Sequence, residues 1–300
     1  MRTLRVGVGL LALAALSACQ RPSPTGMQLD SSVREPSGIV VSAQHEGVLW
    51  THPDSGNGNW LFAVDRSGKS LARLRVENVE NIDWEDIARD DRGNLWLADI
   101  GNNESDRRDL ALHRVPEPDP ASASESVRAD LSVHFRYADQ SEFGRAKADF
   151  DAESLFWWDG RLWLLTKHRS DCSTKLYRFP AIDEASADEL VLEPVARFDL
   201  GEQLGTGYPA SAFPCQVSAA DVDDEGERWA LLTYDAVFVF DLPAPGSVDL
   251  FAKPVGRIAL DPAYVRQVEA LAFEGDDLLL VNEERAMFRL DQIGTRERYP

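Results

Sequence analysis

The chain has only three cysteines and five histidines in 300 residues. It contains no Gly-x-Ser-x-Gly elbow, no His-Glu-x-x-His pair and no glycine-rich phosphate loop opening a helix, which removes three common hydrolase and nucleotide-binding mechanisms. Basic residues are scarce: 31 Lys and Arg stand against 51 Asp and Glu, for a formal charge of −20. So acidic a surface argues against nucleic acid or an anionic membrane as a partner. Helical periodicity is hard to find, and the one long apolar run, Val6 to Leu16, is too short to span a bilayer as a permanent helix.

That run follows Arg2 and Arg5 and leads into Leu16-Ser17-Ala18-Cys19, the layout of an export signal. Leu-Ser-Ala-Cys resembles the lipobox of bacterial lipoproteins, which implies a signal peptide over 1–19 and an acylated Cys19; a plain signal peptide cut nearby is the alternative. Gln20 rather than Asp after the cysteine implies, by the same resemblance, a lipid anchor in the outer membrane. Loss of the two arginines takes the mature chain from −20 to −22. Residues 20–26 read as a tether, and 27–300 as one large domain.

Short alternating strands rich in Trp, Leu, Val and Phe recur between Asp/Gly turns, and five segments align. Their second strands are Gly47 to Asp54, Gly93 to Asp99, Gly160 to Lys167, Arg228 to Asp235 and Asp277 to Asn282. Stretches such as Leu71 to Val76, Leu131 to Tyr137, Val195 to Leu200 and Val255 to Leu260 supply a fourth strand. The expected fold is all-β, a five-bladed β-propeller. Unit five has no fourth strand of its own after Leu290, so the stretch around Met27 to Val33 is expected to close the ring. Trp96, Trp163 and Trp229 read as core.

At the start of each innermost strand stands Ser37, Glu85, Glu153, Ser218 or Glu269. Three carboxylates around one axis repel unless they are protonated or share a cation, and an all-oxygen set suits Ca²⁺ better than zinc or magnesium. The alternative is that these side chains cap strands or hold channel waters. The order Ser, Glu, Glu, Ser, Glu resembles the soluble calcium-activated nucleotidases, the apyrase family, whose five-bladed propeller holds one Ca²⁺ in its channel; the likeness stops at the ring. Phrases such as Leu49-Trp50-Thr51-His52-Pro53-Asp54-Ser55-Gly56-Asn57, Asp83-Trp84-Glu85-Asp86-Ile87-Ala88 and Asp99-Ile100-Gly101-Asn102-Asn103 resemble a group of secreted bacterial propeller lipoproteins with no known activity.

Loops between second and third strands should surround the mouth nearest the ring, starting about 14 residues after it (85 to 99, 153 to 167, 269 to 283). They carry Asp54, Asn57, Asp99, Asn102, Asn103, Arg107, Arg108, Lys167, His168, Tyr234, Asp235, Asn282 and Glu283, with Lys147 on a preceding loop. Most are ordinary turn residues. The cations among them suit an anionic substrate such as a phosphate ester, with Asp99, Asp235 or Glu283 aligning water. Cys172 and Cys215 should share that face, where a disulfide would close a loop of about 43 residues for roughly 3–4 kcal/mol; free thiols are the alternative. Two functions follow: a calcium-dependent hydrolase, or a non-catalytic scaffold in which calcium holds the blades and the rim meets a protein or glycan. A six-bladed, lactonase-like relative fits the blade count poorly. A monomer is expected.

Overall fold

A computed structural model of the chain describes residues 23–122, 124–144, 149–182, 189–203, 213–291 and 293. Cys19, the expected signal peptide over 1–19 and Lys147 lie outside these. The described residues form a five-bladed β-propeller. Blade 1 is β2 (Pro36–Val41), β3 (Val48–Pro53), β4 (Trp60–Asp65) and β5 (Ser70–Glu77). Blade 2 is β6 (Trp84–Arg89), β7 (Asn94–Asp99), β8 (Ala111–Pro116) and β10 (Leu131–Tyr137). Blade 3 is β11 (Asp151–Trp158), β12 (Arg161–Lys167), β13 (Ser173–Arg178) and β15 (Pro194–Asp199). Blade 4 is β16 (Val217–Val222), β17 (Arg228–Thr233), β18 (Ala236–Asp241) and β19 (Pro254–Ala259). Blade 5 is β20 (Val268–Glu274), β21 (Asp277–Asn282) and β22 (Ala286–Leu290), completed by β1 (Ser23–Gln28).

The ring therefore closes with an N-terminal strand, as its geometry demands, but four residues earlier than expected. Strand β1 pairs with β22 from Ser23↔Arg289 to Gln28↔Ala286, so the propeller begins inside the segment read as a tether. The apolar residues that follow β1 have another task. Asp30 closes a turn by accepting from Ser32 N at 2.9 Å and through its carbonyl from Val33 N at 3.0 Å. That turn lets Leu29 and Val33 plug the core between blades 5 and 1.

Five apolar clusters hold the blades, one at each interface: blades 1 and 2, 2 and 3, 3 and 4, 4 and 5, and 5 and 1. Second-strand tryptophans anchor four blades, and each buried indole N–H has an acceptor, as burial demands. Trp50 donates to Glu117 Oε1 at 2.8 Å, Trp96 to Asp90 Oδ2 at 3.0 Å, Trp163 to Trp158 O at 3.0 Å and Trp229 to Leu250 O at 2.9 Å. Inner strands are buried except for one or two half-buried residues near their ends, whereas the outer β10 alternates buried and exposed residues, as a one-sided strand should. Between β11 and β12 the turn is Asp159-Gly160, with φ of 50° and 68°, the mirror-image turn that matches strand twist and that glycine favours.

Two short strands were not legible in the repeat. Strand β9 (Ser126–Arg128) leaves blade 2 to pair in parallel with β5 of blade 1, and β14 (Leu190–Leu192) leaves blade 3 to pair with β10 of blade 2. Each covers an outer edge that would otherwise present unpaired backbone.

Candidate functional site

The ladder between first and second strands slips by one residue at the same place in every blade. Pro36 faces Pro53 but Gly38 faces His52, and Trp84 faces Asp99 but Asp86 faces Ala98. Ala152 and Ser154 face Thr166 and Leu165, Ala219 faces Leu232 after Val217 on Thr233, and Ala270 faces Val281 after Val268 on Asn282. The residues skipped are Ser37, Glu85, Glu153, Ser218 and Glu269. A bulge frees one residue from the ladder and re-aims its side chain. All five are at most 5% exposed.

Their partners divide the ring. Ser37 Oγ donates to the Glu85 carbonyl at 2.8 Å and lies 3.2 Å from its carboxylate; Ser218 Oγ donates to Val268 O at 2.8 Å. Both serines thus tie adjacent blades. Glu153 accepts from Lys167 Nζ at 2.8 Å, that ammonium lies 3.0 Å from Tyr234 Oη, and Tyr234 donates to Glu269 at 2.6 Å. Burial works against the charge of Lys167, yet Glu153, Tyr234 and Glu269 outweigh it and hold the amine protonated. Burial also pushes Glu153 up to about 8, with Lys167 opposing and Asp151 and Glu269 adding to the rise.

The other half is short of positive charge. Carboxylate oxygens of Asp54, Asp83 and Glu85 lie within 4.8 Å of one another, as do those of Glu85, Asp151 and Glu153, so Glu85 belongs to both trios. Asp151 is neutralised by Arg169, which donates from Nε at 3.0 Å and from a terminal nitrogen at 2.6 Å. Among the described residues, Asp54, Asp83 and Glu85 have no ion-pair partner. Burial, reinforced by Glu153, Asp54 and Asp83, drives Glu85 well above the usual carboxylate range. Burial also raises Asp83, and takes Asp54 to about 6. Gly101 makes room for this crowding: a Cβ there would collide with Glu85 Oε1 and with the Asp83 carboxylate. Oxygen-only donors, excess negative charge and a cradle without a side chain fit a hard divalent cation better than a soft metal.

Above the trios lies a cavity of about 220 Å³ whose walls include Asp54, Asn103, Lys167, Arg169, Tyr234 and Glu283. Glu283 accepts from Gln267 Nε2 at 2.8 Å; burial and the neighbouring Glu269 push it up to about 7. Cys172 and Cys215 are bonded on the same rim, with Cα atoms 5.4 Å apart. Phe213, two residues before Cys215, stacks on Tyr234 at 4.6 Å.

Several expected mouth residues do other work. Asp99 pairs with Arg107 at 2.8 Å and accepts from Asp83 N at 3.1 Å; burial would raise it, but His113 and Arg107 hold it below the usual range. Asp235 is taken by Thr233 Oγ1 at 3.0 Å. Neither reaches the cavity, so of the three water-aligning candidates only Glu283 does. Asn102 braces its loop, giving its backbone N–H to Asp151 at 2.7 Å and accepting from Arg107 N at 2.9 Å. Asn57 turns outward to Glu35 at 2.7 Å, His168 is buried against Asp171 at 2.9 Å, and Arg108 faces away from the channel.

Missed were Asp83, Asp151, Gln216 and Gln267, each two residues before a ring position, and Arg169, two after Lys167. For the four residues before the ring, the shared two-residue offset was the available signal. Asp-x-Glu occurs in units two and three, and Gln-x-Ser and Gln-x-Glu in units four and five. Adjacency instead suggested Lys167 with His168, whose ring turns to Asp171.

No protein-family model matches the chain, and no curated protein matches it. Among solved structures it is similar to the PQQ-bound form of aldose sugar dehydrogenase from Streptomyces coelicolor, at 11% identity and a TM-score of 0.50, over 87% of this chain and 96% of that one. It is also similar to virginiamycin B lyase from Staphylococcus aureus, at 13% identity and a TM-score of 0.39, over 85% of this chain and 65% of that one. At 11% identity the first of these likenesses shows the fold alone.

Proposed function

We propose that the chain is an exported, lipid-anchored propeller that binds Ca²⁺ at its channel mouth and hydrolyses small phosphate esters or related anions there. The observation that carries this reading is the Asp54–Asp83–Glu85 trio, with no ion-pair partner among the described residues, beneath a cavity that also holds Lys167 and Arg169. Asp54, Asp83 and Glu85 would hold the ion, with Asp151 and Glu153 beside it. A bound calcium would polarise an anionic oxygen of the substrate.

The chain's own residues supply the rest. Arg169, fixed on Asp151, keeps part of its guanidinium exposed to the cavity and would orient an anion. Lys167 stays charged and adds a second positive group. Glu283, carried to about 7 by burial and by Glu269, is placed to take a proton from water at neutral pH. The test is turnover of a panel of nucleoside diphosphates, sugar phosphates and simple esters, with calcium and with chelator, for the purified protein and for Glu283→Gln. Calcium-dependent turnover lost in Glu283→Gln supports the reading. No turnover of any member removes the hydrolase.

A second reading has its own observation. The Lys167–Glu153 and Tyr234–Glu269 contacts satisfy half the ring internally, as a purely structural centre would. Under that reading calcium raises thermal stability, no panel member turns over, and the rim serves a protein or glycan partner.

A further inference from the structure

The ring built by the five innermost strands already contains a cation of the chain's own. We propose that the ammonium of Lys167 fills the place of an axial metal ion and confines the divalent ion to the Asp54–Asp83–Glu85 side, so that this one residue fixes where the centre takes metal and how many ions it takes. That role deepens the calcium reading and rests on it only for the position of the native ion.

Register shows how the ammonium gets there. In each blade one residue follows the second-strand partner of the residue just before the ring position: Asp54 after Pro53, Ile100 after Asp99, Lys167 after Thr166, Tyr234 after Thr233 and Glu283 after Asn282. These five equivalents form a second tier beside the ring, and all but the buried Ile100 line the mouth cavity. Blades 3 and 4 thus bring an ammonium and a phenol, both hydrogen-bond donors, whereas blades 5 and 1 bring carboxylates. Positive charge enters this tier from blade 3 alone.

Lys167 is 5% exposed. Its Nζ lies 2.8 Å from Glu153 Oε1 and 3.0 Å from Tyr234 Oη, and Tyr234 donates in turn to Glu269 Oε1 at 2.6 Å. Two of the three ring glutamates are therefore bound, directly or through the phenol, to one ammonium. A compact charge with three donors serves such oxygens as a metal ion would. Arg169 adds to the same side, holding Asp151 at 2.6 Å and coming within 4.0 Å of Glu153. The trio Glu85, Asp151 and Glu153, close enough to share an ion, is thus furnished with two side-chain cations. The trio Asp54, Asp83 and Glu85 has none among the described residues. Because Glu85 belongs to both trios, a second divalent ion would sit beside the first and beside the ammonium, and like charges that close in a buried site repel strongly. A single divalent ion per chain is the consequence.

The test is equilibrium dialysis of the purified protein against calcium chloride, with thermal melts in chelator and in millimolar calcium. Wild type should take up one ion. Lys167→Met keeps the length of the side chain and removes its charge, so it should take up one ion more than wild type and melt lower than wild type in chelator. Its calcium shift in melting temperature should be roughly twice as large, since each bound ion adds its own stabilisation. Lys167→Met/Glu153→Gln, in which the abandoned carboxylate is also gone, should recover the wild-type melt in chelator and gain no extra ion. That recovery distinguishes a missing counter-charge from a damaged core. If wild type takes up no calcium while Lys167→Met takes up one ion, the calcium reading fails and the role of Lys167 stands. Equal uptake by wild type and Lys167→Met, or a Lys167→Met chain that folds in neither buffer, overturns the proposal.

Discussion

Replacing Glu85 by Gln tests the channel centre from both sides. Glu85 is 4% exposed, and its carboxylate lies within 4.8 Å of Asp54 and Asp83 on one side and of Asp151 and Glu153 on the other. Arg169 and Lys167 screen the second pair, so the unrelieved repulsion comes from the first. At an effective dielectric near 20, two full charges about 4.8 Å apart repel by roughly 3 kcal/mol. Burial and these neighbours already favour the protonated form, so only part of that cost is felt at neutral pH. Gln keeps the shape and can still accept from Ser37. In chelator the variant should therefore be more stable than the wild type, by about 1–2 kcal/mol. In calcium the order reverses. A cation at one hundred times its dissociation constant stabilises the native state by about 2.7 kcal/mol, roughly 5–10 °C for a domain of this size, and the variant removes the ligand both trios share. The assay is a pair of thermal melts, in chelator and in millimolar calcium. A variant that melts lower than the wild type in chelator, or that keeps the full calcium shift, refutes the reasoning.

Gly101→Ala should cost about 1–3 kcal/mol by overpacking and abolish most of the calcium shift, since its Cβ collides with Glu85 and Asp83; wild-type melts in both buffers would show that the cradle does not matter. Asp221, at the opposite end of β16, accepts from Phe273 N at 2.8 Å, and burial takes it from 3.8 to about 7. Its folded pKa is raised, so the native state holds a proton that the unfolded chain releases, and stability falls as pH rises from about 4 to about 7. The full effect is on the order of 4 kcal/mol, and Asp221→Asn should flatten that slope in urea melts; parallel slopes for the two proteins would contradict it. Breaking the Cys172–Cys215 bond opens a loop of 43 residues and should cost about 3–4 kcal/mol, read as a lower denaturant midpoint for Cys172→Ala/Cys215→Ala. Cys19→Ser should abolish metabolic palmitate labelling and release the protein from the membrane fraction; label on the variant would exclude Cys19 as the acylated residue.

Much of this architecture was legible without coordinates because a propeller repeats one supersecondary unit, and a repeat displays its strands and turns five times over. The ring residues were legible for the same reason: a polar side chain at one equivalent position of five apolar strands stands out. The two-residue offset of Asp83 and Asp151 from the ring was legible in the same way, whereas Arg169 lies in the bend after β12, where the repeat carries no signal. Ring closure called for an N-terminal strand but did not fix its register; that Ser23–Gln28 pairs with β22 while Leu29 and Val33 plug the core depends on what lies beneath them.

Other features belong to the tertiary structure alone. Asp99 and Glu283 look alike as loop carboxylates; one meets Arg107 and is spent, whereas the other meets Gln267 and an open cavity. The trio of Asp54, Asp83 and Glu85 joins two blades. The sequence by itself determined which side chains leave each strand and at what interval, since backbone geometry sets that locally. Which of them meet, and whether a charge finds a partner or is left needing one, was decided only when the blades closed around a common axis.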